Sequence, residues 1–531
     1  MSWNQSKVSR RGGWARVAGR LRRRMRPTLM ALEDRRLLSM IVVNNPTDTP
    51  VAGQTDLRQA IALANQNGGD EAIVFDSTVF GAPQTIILTG GQLELTDTTG
   101  TVSITGPAAG VTVSGGGASR VFQVDSGVTA NLIGLTITRG STANNGGGLF
   151  DDGGSATLID CTVSDNSASG NGGGLDEASG SLTLTGCKIS GNTANIASYA
   201  FGGGVYTSSG VDTLTGCTIS GNTASGGGGV VLFGAANTLT NCDISGNTAP
   251  GPAGAGGAAI GGPVNTLTHC TISGNSTSGN DGGLLLLSGT ATLTGCTISG
   301  NTAYSNGGLG NYATAALTDC TIIGNSAQTD GGGLYTGFGG SAALTDCTIR
   351  DNSAGKDGGG LFNSSGISAT LTDCTVTGNA AVVGGGIANQ GTLNVAGSSI
   401  RKNLATSEGG GIATTSGSVT ITASVVDSNQ VTSSGTASGG GIYSKHSLLS
   451  LTNDVIHANQ AIGANAYGGG IYALDSTVNV QGCTITGNTA NGTVLGEGGG
   501  IYSNGSLLTL TATKVKGNKA STAGDDIFIH P

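Results

Sequence analysis

The stretch Cys217-Thr218-Ile219-Ser220-Gly221-Asn222 recurs unchanged at Cys270–Asn275 and Cys296–Asn301. Relaxed to an apolar residue followed three positions later by Asn, the pattern runs from Asn166 to Asn518 in fourteen copies, spaced 24 to 30 residues apart. A degenerate earlier copy, Leu135-Thr136-Ile137, has Gly140 where the Asn would stand. Between copies comes a glycine run closed by an apolar residue, as before Phe150, Tyr206, Tyr443, Tyr472 and Tyr502, and then an alternating segment such as Leu-Thr-Leu-Thr. Alternation puts Cys and Ile on one face and Thr and Ser on the other. Each repeat therefore reads as three short strands separated by bends. Such a unit has no helix to cover its apolar face and must stack on its neighbours. The period is too short for a propeller blade. It fits one coil of a parallel β-helix, and about 15 coils at the strand spacing make a rod roughly 70 Å long. The predicted class is all-β: a parallel β-helix solenoid with an amphipathic capping helix at its N-terminal end.

Composition agrees. Glycine supplies 98 of 531 residues, charged residues are 10%, aromatic residues 4%, and there are only 9 prolines, which excludes collagen and a mainly helical chain. Residues 1–39 hold 11 of the 23 Lys+Arg beside Glu33 and Asp34; the remainder is strongly acidic and makes a poor partner for nucleic acid. Three parts are expected: a disordered basic export or targeting segment over 1–39, a cap with irregular first coils over 40–130, and the repeat domain over 131–531. No stretch of about 18 apolar residues is present, so no transmembrane helix is expected. Repeats that continue to Asn518 leave no space for a membrane barrel after them.

In the cap, Thr55 or Asp56 precedes a helix whose Leu57, Ile61 and Ala64 share one face, and Asn67-Gly68-Gly69 ends it. Ala72–Phe75 reads as a buried strand. A helix here would cover the open end of the stack.

Several resemblances follow from these residues. The GG-apolar and apolar-x-x-Asn copies resemble the chlamydial polymorphic membrane protein repeat, with Ile or Val where that repeat has Phe. The stretch from Thr55 to Asp76 resembles the CSLREA-type segment that precedes β-helix repeats in exported bacterial proteins. Leu32–Ser39 resembles the LEPR-XLL motif of planctomycete-type surface proteins, with Asp34 in place of its proline. More broadly the chain resembles the right-handed parallel β-helix, pectin-lyase-like superfamily, which implies a right-handed coil and either a structural solenoid or a polysaccharide lyase or hydrolase.

The Asn column reads as a structural ladder, because Asn tolerates left-handed backbone and can hydrogen-bond its neighbours in the stack. Ten cysteines occupy one repeat position. Their even number suggests disulfides. Their stacking favours a buried thiol ladder, since parallel Cβ vectors about 4.8 Å apart exceed the reach of a bridge. That position is otherwise filled by Leu135, Ser398, Ser424, Asp454 and Thr513.

The galacturonan-hydrolase signature (NTD, paired Asp, GHG and RIK) is not found as a set, and His269, His446, His457 and His530 lack the flanking glycines. Asp151-Asp152 and Asp525-Asp526 read as turn aspartates, because neighbours on a strand point to opposite faces. No acidic cluster, calcium nonapeptide or nucleotide loop is apparent, and no cofactor or metal is predicted. Two columns remain as candidate glycan-binding surface. Arg401, Asp427 and His457 fall in one outer column of successive coils, readable as a polar glycan site or as a surface charge ladder. Tyr443, Tyr472 and Tyr502 point outward by alternation, to bind sugar faces or to pack ring on ring. The sequence thus predicts an exported or cell-surface, adhesin-like structural protein without catalysis, whose partners are extracellular polysaccharide or other cell-surface components. The alternative is a carbohydrate-binding protein, lyase or hydrolase of the pectin-lyase-like class. Oligomeric state is not indicated.

Overall fold

A computed structural model describes residues 39–195, 199–252 and 254–530. The basic segment expected over 1–39 lies, apart from Ser39, outside the described residues. From Ser39 onward the chain winds through long parallel sheets, each strand pairing with the equivalent strand one coil on. In a typical coil a five-residue strand, Val264–Thr268, is followed by Cys270 and the strand Thr271–Ser273, then by Asn275, and later by Leu284–Leu286 after the glycine pair. A fourth strand of two residues, Ser276–Thr277, follows the Asn. The expectation of three strands per coil is corrected to four wherever this short element forms.

About 17 turns are present rather than 15. The difference lies at the start. The segments read as irregular are already in register: Gln84–Ile87 pairs with Val111–Ser114, which pairs with Leu135–Thr138, and Leu93–Leu95 pairs with Phe122–Val124. These coils keep inward alternation (Ile86, Val113, Ile137 fully buried) without the Cys and Asn markers, so a motif search passes over them.

The helix runs Leu57–Asn67, with Asp56 as its N-cap in a reciprocal capping box with Gln59 and Gly68 closing it at φ +70°. Leu57, Ala60, Ile61 and Ala64 are buried and continuous with the core of the rod. They cover strands Ser39–Val43, Glu71–Phe75 and Leu93–Leu95, the end of the stack that would otherwise face water. Arg58 pins the helix down: its Nε lies 2.9 Å from Asp48 Oδ1, and its guanidinium donates to the Gly91 and Gln92 carbonyls.

The core is a set of aligned columns. The Ile column (Ile189, Ile219, Ile244, Ile272, Ile298, Ile322, Ile349) is completely buried, and burying each such side chain contributes about 1.5–3 kcal/mol. All ten cysteines are buried free thiols beside it. Each is held to backbone, as Cys161 Sγ donates to the Leu132 carbonyl at 3.3 Å. The hydrogen bond with the Cys161 thiol, with burial, pushes Cys187 up to about 12 against the opposing Cys217 hydrogen bond. Polar residues also fit the column: Ser398 Oγ donates as the thiols do, to the Ala396 carbonyl at 2.8 Å, while Asp454 instead accepts the Ser424 and Thr452 amides at 2.8 Å each.

Asparagine forms the second column. Asn301 Oδ1 accepts both the backbone N–H (2.9 Å) and the Nδ2–H (3.0 Å) of Asn275 one coil before. Its own Nδ2 donates to the Ile272 carbonyl at 3.0 Å and to Asn325 Oδ1 at 2.9 Å. The pattern begins at Gly140, whose N–H donates to Asn166 Oδ1 at 2.8 Å, and ends at Asp526 Oδ1, which accepts from the Asn518 backbone and side chain at 3.1 and 2.9 Å. The ladder is as expected, with one correction. The left-handed residue is the one before each Asn, such as Gly274 at φ +60° or Asp351 at φ +58°. The glycine pair makes room for the ladder: a Cβ on Gly283 would lie 2.7 Å from Asn301 Nδ2 and 2.6 Å from the Gly308 carbonyl.

Replacing one rung tests this arrangement. Asn301→Ala leaves two buried donors of Asn275 without an acceptor and should cost about 3 kcal/mol. Exposed Asn491→Ala should stay within about 0.5 kcal/mol. Urea unfolding of both variants measures the difference; equal effects would contradict the ladder's structural role.

Candidate functional site

The outer Arg401–Asp427–His457 column lies on three consecutive strands, Ser399–Arg401, Val425–Asp427 and Val455–His457, paired in register. His457 Nδ1 is 2.8 Å from Asp427 Oδ1, and Ser428 Oγ donates to Asp427 Oδ2 at 3.1 Å. Arg401 is exposed, and among the described residues no ion pair joins it to Asp427. The column is thus a His–Asp pair with a free cation one strand away, on an open surface where each such contact is worth under about 1 kcal/mol.

The tyrosines stand elsewhere, on the sheet that follows the glycine pairs. Tyr443 and Tyr472 stack at 5.1 Å and 1°, Tyr472 and Tyr502 at 5.2 Å and 1°, and Tyr502 continues onto Phe528 at 5.5 Å. Tyr467 leans across Tyr472 and Tyr502. Tyr443 and Tyr502 retain only 4% and 5% exposure, so ring faces are turned to one another and not to solvent. The two candidate columns therefore do not converge on one site.

A different set of ionisable groups does converge, inside the rod. Asp151, Glu177 and Thr207 are register partners at the end of successive strands, and all are fully buried. Asp212 joins them: Thr207 Oγ1 donates to its Oδ2 at 2.6 Å, and the Leu182 amide to its Oδ1 at 3.2 Å. Asp151 Oδ1 accepts the Gly154 amide at 2.6 Å while Oδ2 has no partner. Glu177 accepts the amides of Gly180, Ser208 and Ser209. Burial pushes Asp151 up to about 7, with the Glu177 charge adding to the shift, and pushes Asp212 to about 7 as well. Asp176 sits between Phe150 and Tyr206 in the ring column, is also buried and driven to about 7 by burial, and has no hydrogen-bond partner on either oxygen.

This corrects two sequence readings. Acids do meet inside the rod, although among the described residues no three of them form a group that could hold a metal ion, and Asp151 is an interior residue and not a turn aspartate. The signal was available: the alternation that sends Leu149 inward and Phe150 outward sends Asp151 inward again. Asp152 is exposed, in keeping with its expected place in a turn. Asp525 Oδ1 accepts the Ala520 amide at 2.9 Å, and Asp526 terminates the Asn ladder.

With the geometry in place, comparison with known proteins fixes the hand of the coil. A family model described as a right handed beta helix region matches residues 203–400. The chain is a right-handed parallel β-helix. Among solved structures this β-helix is similar to that titled pectate lyase Pel9A, at 13% identity over 65% of this chain and 76% of that one, with a TM-score of 0.31. It is also similar to PL6 family alginate lyase AlyGC, at 9% identity over 91% of this chain and 99% of that one, with a TM-score of 0.22. Likenesses this loose carry no argument about substrate. Comparison with curated proteins gives no match.

Asp151 and Asp212 give the β-helix a pH dependence whose sign is fixed. Their folded pKa values lie above the unfolded value near 3.9, so the folded state binds more protons between about pH 4 and pH 7. Their protonated forms favour folding, and that contribution is lost as pH rises through about 7. The double variant Asp151→Asn, Asp212→Asn should therefore gain stability over the parent between about pH 5 and pH 8, by about 2 kcal/mol or more. Denaturant titrations at the two pH values check this; a constant difference would contradict it.

Proposed function

We propose that this β-helix is an exported or cell-surface structural rod, adhesin-like in its repetition, which presents an extended surface and carries out no catalysis. The observation that carries the reading is where its polar chemistry goes. The Asn column, Asp212, Asp454 and Asp526 spend their hydrogen bonds on backbone or on the same column of the adjoining coil. The basic segment over 1–39 and the resemblances to LEPR-XLL, CSLREA-type and polymorphic membrane protein sequences support an envelope or extracellular destination. Among the described residues no helix is long and apolar enough to cross a membrane. Its partners on this reading are extracellular polysaccharides or other cell-surface components.

A second reading, a carbohydrate binder or polysaccharide lyase or hydrolase, is favoured by one observation: the exposed His457–Asp427 pair with Arg401 in the same column. Fractionation of the producing cell together with turnover assays separates the two. The rod predicts recovery in the envelope or medium, and no cleavage of polygalacturonate, alginate or neutral glycans by the full chain. Turnover that is lost in Arg401→Ala or His457→Ala would replace the structural reading with the enzymatic one. Recovery in the cytoplasm alone would contradict the proposed destination.

A further inference from the structure

The outward ring column has a gap. It passes from Tyr206 through Val231, Ala259, Leu285 and Gly310 before rings return at Tyr335 and Phe362. Where rings would stack there is a hollow of about 420 Å³, within the range of small-molecule sites. Its walls are apolar and aromatic, with Phe233, Leu285, Leu287 and Tyr312 among them, and among the described residues Asp281 is the one charged residue lining it.

Asp281 is an unusual resident. It occupies the left-handed position that glycine takes two coils later at Gly331, at φ +68°, a conformation costly for a side-chain-bearing residue. It is 3% exposed and among the described residues has no basic partner; Asn306 Nδ2 donates to its Oδ1 at 2.9 Å and to the Tyr312 hydroxyl at 3.1 Å. Gly310 is what admits it, since a Cβ at that position would fall inside the carboxylate. Three departures from the repeat thus coincide: a run of residues without rings in the ring column, a non-glycine in a glycine position, and a glycine in a side-chain position. Together they place one carboxylate at an apolar hollow. A carboxylate among aromatic walls, with no cation of the protein's own, is complementary to an organic cation.

We propose that this hollow binds a small organic ammonium ion, with its charged head on the Asp281 carboxylate and its apolar body among Phe233, Leu285 and Leu287. The site goes beyond the structural role of the rod and does not depend on it. Burial holds Asp281 up to about 7, against the Asn306 hydrogen bond, so its carboxylate ionises across neutral pH. Tyr312 and Tyr335, the other titratable groups facing it, are pushed upward by burial and stay neutral there. Cation binding should therefore tighten with rising pH until the amine itself loses its proton.

Calorimetry on the full chain with 2-phenylethylammonium, and with neutral 2-phenylethanol as its counterpart, tests the site. The amine should bind saturably and about tenfold more tightly at about pH 8 than at about pH 5.5, while the alcohol binds more weakly and without pH dependence. Asp281→Asn keeps a residue that tolerates the left-handed backbone, as Asn306 does at φ +58°, and should weaken the amine about tenfold and flatten its pH profile. Ala259→Phe puts a ring where other coils carry one and should abolish binding of both, with an unchanged far-UV spectrum. Equal binding of amine and alcohol, an unaffected Asp281→Asn variant, or no saturable binding at millimolar amine would overturn the proposal.

Discussion

A buried asparagine amide can accept two hydrogen bonds and donate two, and a stack of identical coils supplies all four partners. Asn301 takes the backbone and side-chain donors of Asn275 and gives its own to Ile272 and Asn325. Much else depends on this bond set. It fixes the register of each coil on the next, because a one-residue slip would leave a full set of buried polar groups unpaired. It also demands that the neighbouring backbone come close, which only the glycine pairs permit, as at Gly283. The glycine content of the chain thus follows in large part from the asparagine column.

The same logic explains which features were legible in the sequence. Cys, Ile and Asn recur at fixed offsets because each fills a column, so periodicity displays them directly. The helix was legible from its cap and apolar face. The two-residue strand Ser276–Thr277 was not, because two residues cannot show alternation. The first coils were missed because Ile86 and Val113 meet the packing requirement without the markers. The left-handed residue was assigned to Asn itself, whereas the bend occurs one position earlier, where Gly, Asp, Ser and Lys all appear.

For the candidate site the outcome is more divided. Alternation correctly placed Arg401, Asp427 and His457 in one outer column, and adjacency in register produced the His–Asp contact. It also sent the tyrosines to the outward side, but outward is not the same as exposed: the rings stack face to face, and Tyr443 and Tyr502 are buried. The interior acids Asp151, Glu177 and Asp212 were passed over because carboxylates are almost never fully buried unless paired. Here the end of a strand brings them beside amides and a hydroxyl that partly compensate. The departures from the repeat, at Gly310 and Asp281, become visible only once every coil is aligned.

If the asparagine ladder holds the coils together, its amides should be among the last in the protein to exchange with solvent. Hydrogen exchange of the native chain, resolved to the segments containing Asn275, Asn301 and Asn325, measures this. Protection near the global unfolding limit, with the loops around Thr329 and Ser433 exchanging far sooner, is the predicted result. Exchange of the asparagine segments as fast as that of the loops would contradict it.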